Sequence, residues 1–235
     1  MSNILLNYMK NRFKFESVLP EKNHTKFGPV VTISREYGCP AKRLAGMLSS
    51  ALNRIELEHY SKHQWQWIGK EILDESAKEL HLKPTMIREV VNQEHDGGLV
   101  DDIVKSLSHR YYPGDIKIKK TIGEVIRTFA EHGNVIIVGR GGVSITRDIP
   151  KSLHIRLTAP LEWRINDVSK KQMIPLAEAK KKILHIDGQR DLIREFFAGG
   201  KVDNNEFDVI FNYMSLDEED IIAAIIRLME SKDLI

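Results

Sequence analysis

A single cysteine, Cys39, stands in the 235 residues. It leaves no internal disulfide and suits a reducing compartment, so a cytoplasmic protein is expected. Long apolar runs are missing too. None reaches the roughly 20 residues of a membrane helix, and the opening MSNILLNYMKNRFKF lacks the apolar core and small-residue cleavage site of a secretory signal. Nor is there an excess of one charge. Lys and Arg number 35 against 33 Asp and Glu, a formal net charge of +2, so bulk electrostatics ask for neither nucleic acid nor a lipid surface. A chain of this length can bury a substantial core, and the expectation is one α/β domain with an inserted lobe.

What is present is a set of short apolar runs. Val30-Val31-Thr32-Ile33, Val135-Ile136-Ile137-Val138, Leu153 to Leu157 and Val209-Ile210-Phe211 read as buried parallel strands. Helical patterns between them predict right-handed crossovers and a doubly wound parallel sheet. The first helix, Ala41 to about Leu52, sets Leu44, Leu48, Ala51 and Leu52 on one face. Thr121-Ile122-Gly123-Glu124 reads as a capping box that opens a helix ending at Gly133. Ser215 to Glu218 repeats that start signal before Ile221, Ile222, Ile225 and Leu228, and the acidic residues 217 to 220 match the positive end of that helix. Residues 56 to 120 are polar and helix-rich with no clear strand, which predicts a helical lobe inserted between the first two strands. Residues 1 to 27, with Leu5, Leu6, Tyr8, Phe13 and Phe15, form an apolar extension suited to the body or to a homodimer contact.

The densest information lies at Val30 to Leu52: a strand, a tight loop, then a helix, an arrangement that cradles phosphate. The Walker template G-x-x-x-x-G-K-[ST] needs glycines for close backbone approach and a lysine for the β/γ-phosphates. On that template Arg35 takes the first glycine place, Pro40 the second, Ala41 the lysine place and Lys42 the hydroxyl place, with Gly38 inside the loop. The scaffold is present while its defining residues have changed.

Ile33-Ser34-Arg35-Glu36-Tyr37-Gly38 resembles the ISREYG opening of the cytidylate-kinase-like family of P-loop proteins. Val135 to Gly141 is similar to its VIVGRG stretch, and Ala159 to Ile165 to its APLE-x-RI. Asp187-Gly188-Gln189-Arg190 falls where the family carries D-x-x-R ahead of an aromatic pair, here Phe196-Phe197. Phe207 to Asn212 resembles the YDLVLN ending. The matches run in order from about residue 28 to 230.

The resemblance implies a nucleoside-monophosphate-kinase fold with a lid at about 165–200. It also implies ATP and magnesium as cofactors and transfer of the γ-phosphoryl to a nucleoside monophosphate, CMP in relatives with full motifs. Such chemistry needs backbone amides and cations more than a covalent nucleophile. Arg140, Arg164, Arg190 and Arg194 would neutralise acceptor and transition-state charge, because an arginine fork binds phosphate oxygens bidentately. Arg35, Gly38, Cys39, Pro40, Ala41, Lys42 and Arg43 would surround the ATP phosphates. The alternative for each arginine is a buried pair with a carboxylate such as Asp187. The departures favour a rival function, a non-catalytic nucleotide sensor or assembly protein: Pro40 removes a loop N–H, Ala41 leaves no cation, and Val138 and Gly141 stand where full cytidylate kinases carry aspartates. A kinase for a different small phosphorylated or hydroxylated acceptor is a further alternative.

Other features are expected to carry structure. Lys170, Lys171, Lys180, Lys181 and Lys182, with Arg190 and Arg194, face either an anion or solvent. Cys39 precedes a helix N-terminus, where thiol pKa values can fall, but no general base accompanies it. His59 and His63 at i, i+4 lack a third ligand, so no metal site is assigned. Glu94-His95-Asp96 and Asp101-Asp102 read as a polar loop and a helix start, and Trp65 and Trp67 as core of the lobe.

Overall fold

A computed structural model of the protein describes residues 28–58, 64–69 and 113–235. The chain divides into two compact units, and the larger, Thr25–Gly69 with Arg127–Ile235, contains every described strand. Of the other unit the described residues are 113–126, the first part of a helix. The N-terminal extension, His59, His63, Glu94 to Asp96, Asp101, Asp102 and most of the expected lobe lie outside the described residues.

The elements run β1 (Val30–Arg35), α1 (Ala41–Glu58), β2 (Gln66–Ile68), α2 (Pro113–His132), β3 (Val135–Val138), α3 (Gly142–Thr146), β4 (Ser152–Thr158), α4 (Leu161–Gln172), α5 (Leu176–Ala198), a 3₁₀ turn (Asn204–Glu206), β5 (Val209–Asn212) and α6 (Glu218–Ser231). The sheet is parallel throughout, in the order β2-β3-β1-β4-β5. All four strands expected from the apolar runs are present. The fifth, β2, corrects the reading of residues 56 to 120 as strandless. It is only three residues long and pairs with β3 alone, so no alternation announces it. Side chains of α1 locate it instead. Asn53 accepts from Trp65 N at 2.6 Å and donates to Trp65 O at 2.9 Å, and the Ser49 hydroxyl donates to the same carbonyl at 2.7 Å.

One face of the sheet carries Val31, Ile33, Ile136, Val138, Leu153, Ile155, Leu157 and Phe211 against Leu44, Leu48 and Leu52 of α1 and Ile221, Ile225 and Met229 of α6. Trp65 belongs to this main core and is 1% exposed, not to a separate lobe core. On the opposite face β1 and β4 carry polar residues beside apolar ones such as Val30 and Ile137: the register sets Thr32 beside His154 and Ser34 beside Arg156, α3 packs against β1, and α5 packs against α3.

Three helix boundaries differ from expectation. Helix α1 continues to Glu58, because the clamp on Trp65 uses Asn53, past the expected end at Leu52. Helix α2 begins at Pro113, a residue favoured in the first helical turn, so Thr121 lies in its interior and not at its start. Its end is as expected: Gly133 at φ +75° returns its N–H to Phe129 O. At α6 the cap is Asp217, whose carboxylate accepts from Asp220 N at 2.8 Å; Ser215 lies outside.

Candidate phosphate site at the carboxyl edge of the sheet

Strand β1 is central, and the chain leaves it toward β2 while β4 leads the other way to β5. In an open parallel sheet the crevice at such a reversal, outside the carboxyl ends of the strands, is where ligands bind. Here it is formed by the β1–α1 loop (residues 36–40), the β3–α3 turn (residues 139–141) and the α4–α5 hairpin.

The β1–α1 loop is held mostly by itself and by α5. Glu36 N donates to Leu157 O, Cys39 N to Glu36 O, Ala41 N to Cys39 O, and Arg43 N and Leu44 N to Pro40 O. Tyr37 N donates to the Asp187 carboxylate at 2.6 Å. Pro40 has no N–H, so Gly38 N and Lys42 N are the amides left without an acceptor among the described residues. Gly38, at φ +101°, turns the chain where an added Cβ would meet the Arg164 stem at 3.4 Å. Ala41 points into the core, whereas Lys42 and Arg43 are exposed. The cation offered by the helix start is therefore Lys42. Arg43 is already drawn 2.8 Å from the buried Glu218, which also accepts from the Tyr213 hydroxyl. Cys39 is buried, and burial followed by the charge of Glu36 pushes its thiol up to about 12.

Arg164, 6% exposed, is the pin of this loop. Its Nε donates to Ala159 O at 3.0 Å and lies 3.4 Å from Glu36. Its Nη1 donates to Tyr37 O at 3.1 Å and to Asp187 at 2.6 Å. Glu36 also accepts from Ala159 N at 3.1 Å. The alternative of a buried Arg–Asp187 pair is thus the arrangement observed at Arg164. Arg190 lies 3.5 Å from the same Asp187, donates to Arg35 O at 3.2 Å and stands 5.6 Å over the Tyr37 ring.

In the β3–α3 turn Gly139, Arg140 and Gly141 all take positive φ, of 73°, 59° and 72°. The Arg35 guanidinium occupies the place a Gly139 side chain would need, and the Phe197 ring approaches the Gly141 Cβ position at 2.5 Å. That crowding explains the glycines on both sides of Arg140. Arg194, one turn beyond Arg190, is buried beside Ser144 of α3, whose hydroxyl donates to its carbonyl, and it pairs with Asp191. The structure therefore brings Arg35, the loop, Arg164, Arg190 and Arg194 to one edge.

Three residues here were not assigned a ligand role from sequence: Glu36, Arg156 and Asp187. A signal existed for Arg156, since Leu153 to Thr158 alternates strictly between apolar and polar residues, as a strand with one polar face does. On that face His154 is neutral and ordered. Ser152 Oγ donates to Ile149 O and so accepts from His154 Nε2, which leaves Nδ1 to accept from Thr32 Oγ1 at 2.9 Å.

The sites fit phosphate better than a protein-held cation. Gly38 N, Lys42 N and the Lys42 ammonium are suited to phosphate oxygens. Magnesium does not fit the carboxylates of the loop, because Glu36 and Asp187 are committed to amides and arginines. Among the described residues, no group of three His, Cys, Asp or Glu side chains is arranged to hold a metal.

Comparison with known proteins adds family and fold. The model of the cytidylate kinase-like family matches residues 30–215. No curated protein matches the chain. Among solved structures, an uncharacterized protein from Eubacterium ventriosum is similar at 19% identity and a TM-score of 0.61, over 86% of this chain and 98% of that one. A shikimate kinase from Acinetobacter baumannii aligns at 12% identity and a TM-score of 0.47, over 88% and 96% of the two chains. A dephospho-CoA kinase from Campylobacter jejuni aligns at 10% and 0.40, over 87% and 97%.

Proposed function

The chain belongs to the cytidylate kinase-like family, with its α/β P-loop kinase fold, and we propose that it binds a nucleoside triphosphate at this edge and transfers the γ-phosphoryl of ATP to a nucleoside monophosphate, CMP being the acceptor the motifs imply. The observation that carries this reading is the convergence of the β1–α1 loop, the β3–α3 turn and the arginines of α5 on the carboxyl ends of β1, β3 and β4. Bound ATP supplies the phosphoryl group. Gly38 N, Lys42 N and the Lys42 ammonium would hold its phosphates, while Arg140, Arg190 and Arg194 would orient the acceptor and offset the charge that builds during transfer. Arg164 is a positioning residue, its donors being spent on the loop and Asp187. No step is assigned to magnesium, for which the loop offers no uncommitted carboxylate.

One observation favours a second reading, a nucleotide-binding member without turnover. Asp187 occupies Tyr37 N, and Pro40 offers no N–H, so the cradle presents fewer donors than a phosphate loop does. Calorimetric titration with ATP and with CMP, each with and without magnesium, followed by a coupled turnover assay, tests both. Micromolar binding of both with turnover supports transfer, and binding without turnover supports the second reading. Absence of nucleoside phosphate binding at millimolar ligand overturns both.

A further inference from the structure

Two arginines, Arg156 on β4 and Arg194 on α5, each keep a guanidinium nitrogen that the protein leaves unpaired. Arg156 donates to Asn204 Oδ1 at 3.0 Å, lies 3.8 Å from Glu36, and stands 5.5 Å from the centre of the Phe207 ring. Arg194 pairs with the half-exposed Asp191 through Nη2. The Nε of each is buried without a hydrogen-bond partner. Buried charged donors are rarely left so, because an unmade bond leaves the cost of taking the group out of water uncompensated.

The carboxylates within reach are already engaged. Glu36 serves Ala159 N and Arg164, while Asp187 serves Tyr37 N, Arg164 and Arg190. Cations are thus in excess at this point of the interior. Burial, then the nearby charge of Arg156, depresses Arg194 to about 10. Ser34, 4% exposed, is the register neighbour of Arg156 and gives the same face a hydroxyl.

We propose that Arg156 and Arg194 form a buried oxyanion site that takes a phosphate group, with Arg156 contributing a ligand that no sequence motif identified. The source of the phosphate is either free inorganic phosphate or the monoester of the acceptor. Only the second source rests on the phosphoryl-transfer reading above.

The test is titration of the full chain with inorganic phosphate at constant ionic strength, read by calorimetry and by the Nε–H resonances of arginine. Saturable binding that moves two buried Nε–H signals is expected. Arg156→Lys and Arg194→Lys keep the charge but remove Nε, and each is expected to weaken binding by about ten- to a hundredfold, the worth of one charge-assisted hydrogen bond. Arg227→Lys, at an exposed surface pair, is expected to change nothing. Tryptophan fluorescence and circular dichroism check that each variant is folded. Absence of saturable phosphate binding by the wild type, or undiminished binding by both folded lysine variants, overturns the proposal. CMP that displaces phosphate while cytidine does not identifies the acceptor monoester as a source. Phosphate binding with no response to any nucleotide keeps this site and removes the nucleotide reading.

Discussion

Replacing Arg164 by Met removes the guanidinium and keeps the stem that packs near Gly38. Three donations are lost, to Ala159 O, Tyr37 O and Asp187, together with the pairing to Glu36. Breaking one side of a buried ion pair costs about 3–5 kcal/mol, mostly through the charge left behind. The Glu36 and Asp187 side chains retain 23% and 21% of their exposure, so water would screen part of that residual charge. A loss near the lower end, about 3 kcal/mol, is expected. The assay is guanidinium denaturation followed by tryptophan fluorescence. Trp65, Trp67 and Trp163 all belong to the unit built on the sheet, so the signal reports that unit. Asp187→Asn, which can still accept from Tyr37 N, closes a double-mutant cycle, and a coupling of about 1–3 kcal/mol is expected for groups in one network. Arg164→Lys should fall between, keeping charge but not the fork. A loss below about 0.5 kcal/mol, the usual range of an unremarkable surface change, would refute the assignment of Arg164 as the pin of the loop. Strict additivity with Asp187→Asn would refute it equally.

Cys39 is expected to resist alkylation in the native state at mildly alkaline pH and to react on unfolding. A thiol raised from 9.0 to about 12 carries about a thousandfold less thiolate; rapid native labelling would contradict its burial. For His154, burial lowers the pKa below 6.5, Asp208 opposes that shift and Lys232 adds to it. The unfolded chain therefore takes up the proton first. Its contribution to stability is complete above pH 6.5 and is lost as pH falls through 6.5 toward the folded value. Denaturation midpoints of wild type should fall more steeply over that window than those of His154→Gln; parallel curves would show that the ring does not titrate differently on folding. Gly141→Ala combines φ +72° with a Cβ position 2.5 Å from Phe197 and should cost at least about 1–3 kcal/mol in the same denaturation assay. A neutral result would mean that the ring moves aside freely.

Strands were legible where the sequence concentrates apolar residues in short runs, because a central parallel strand is buried on both faces. β2 was not, since what fixes it is a clamp from Asn53 and Ser49 rather than its own composition. The start of α2 was hidden behind a capping motif that proved interior, local chemistry that the longer helix overrides. At the candidate site, ordered motifs named Arg140, Arg164, Arg190 and Arg194 together. Asp187 was legible as a carboxylate that could pair with them, but not which arginines it holds nor that it also caps the loop. The Asp187–Tyr37 contact joins positions 150 residues apart, and no periodicity encodes a tertiary pairing of that kind. Nor could the sequence show the burial of Cys39, which pushes its thiol up although it stands just before a helix.

The central place of β1 also sets an order of events on the ribosome. Val30–Arg35 emerges early, but its neighbours on either side are β3 and β4, whose first residues are Val135 and Ser152. The loop that follows β1 waits longer still, because the carboxylate that caps Tyr37 is synthesised 150 residues later. At about 5–20 residues per second that interval is roughly 8–30 s. Until β3 and then β4 follow, β1 has no neighbouring strand to pair with, and its apolar face stays uncovered in the nascent chain.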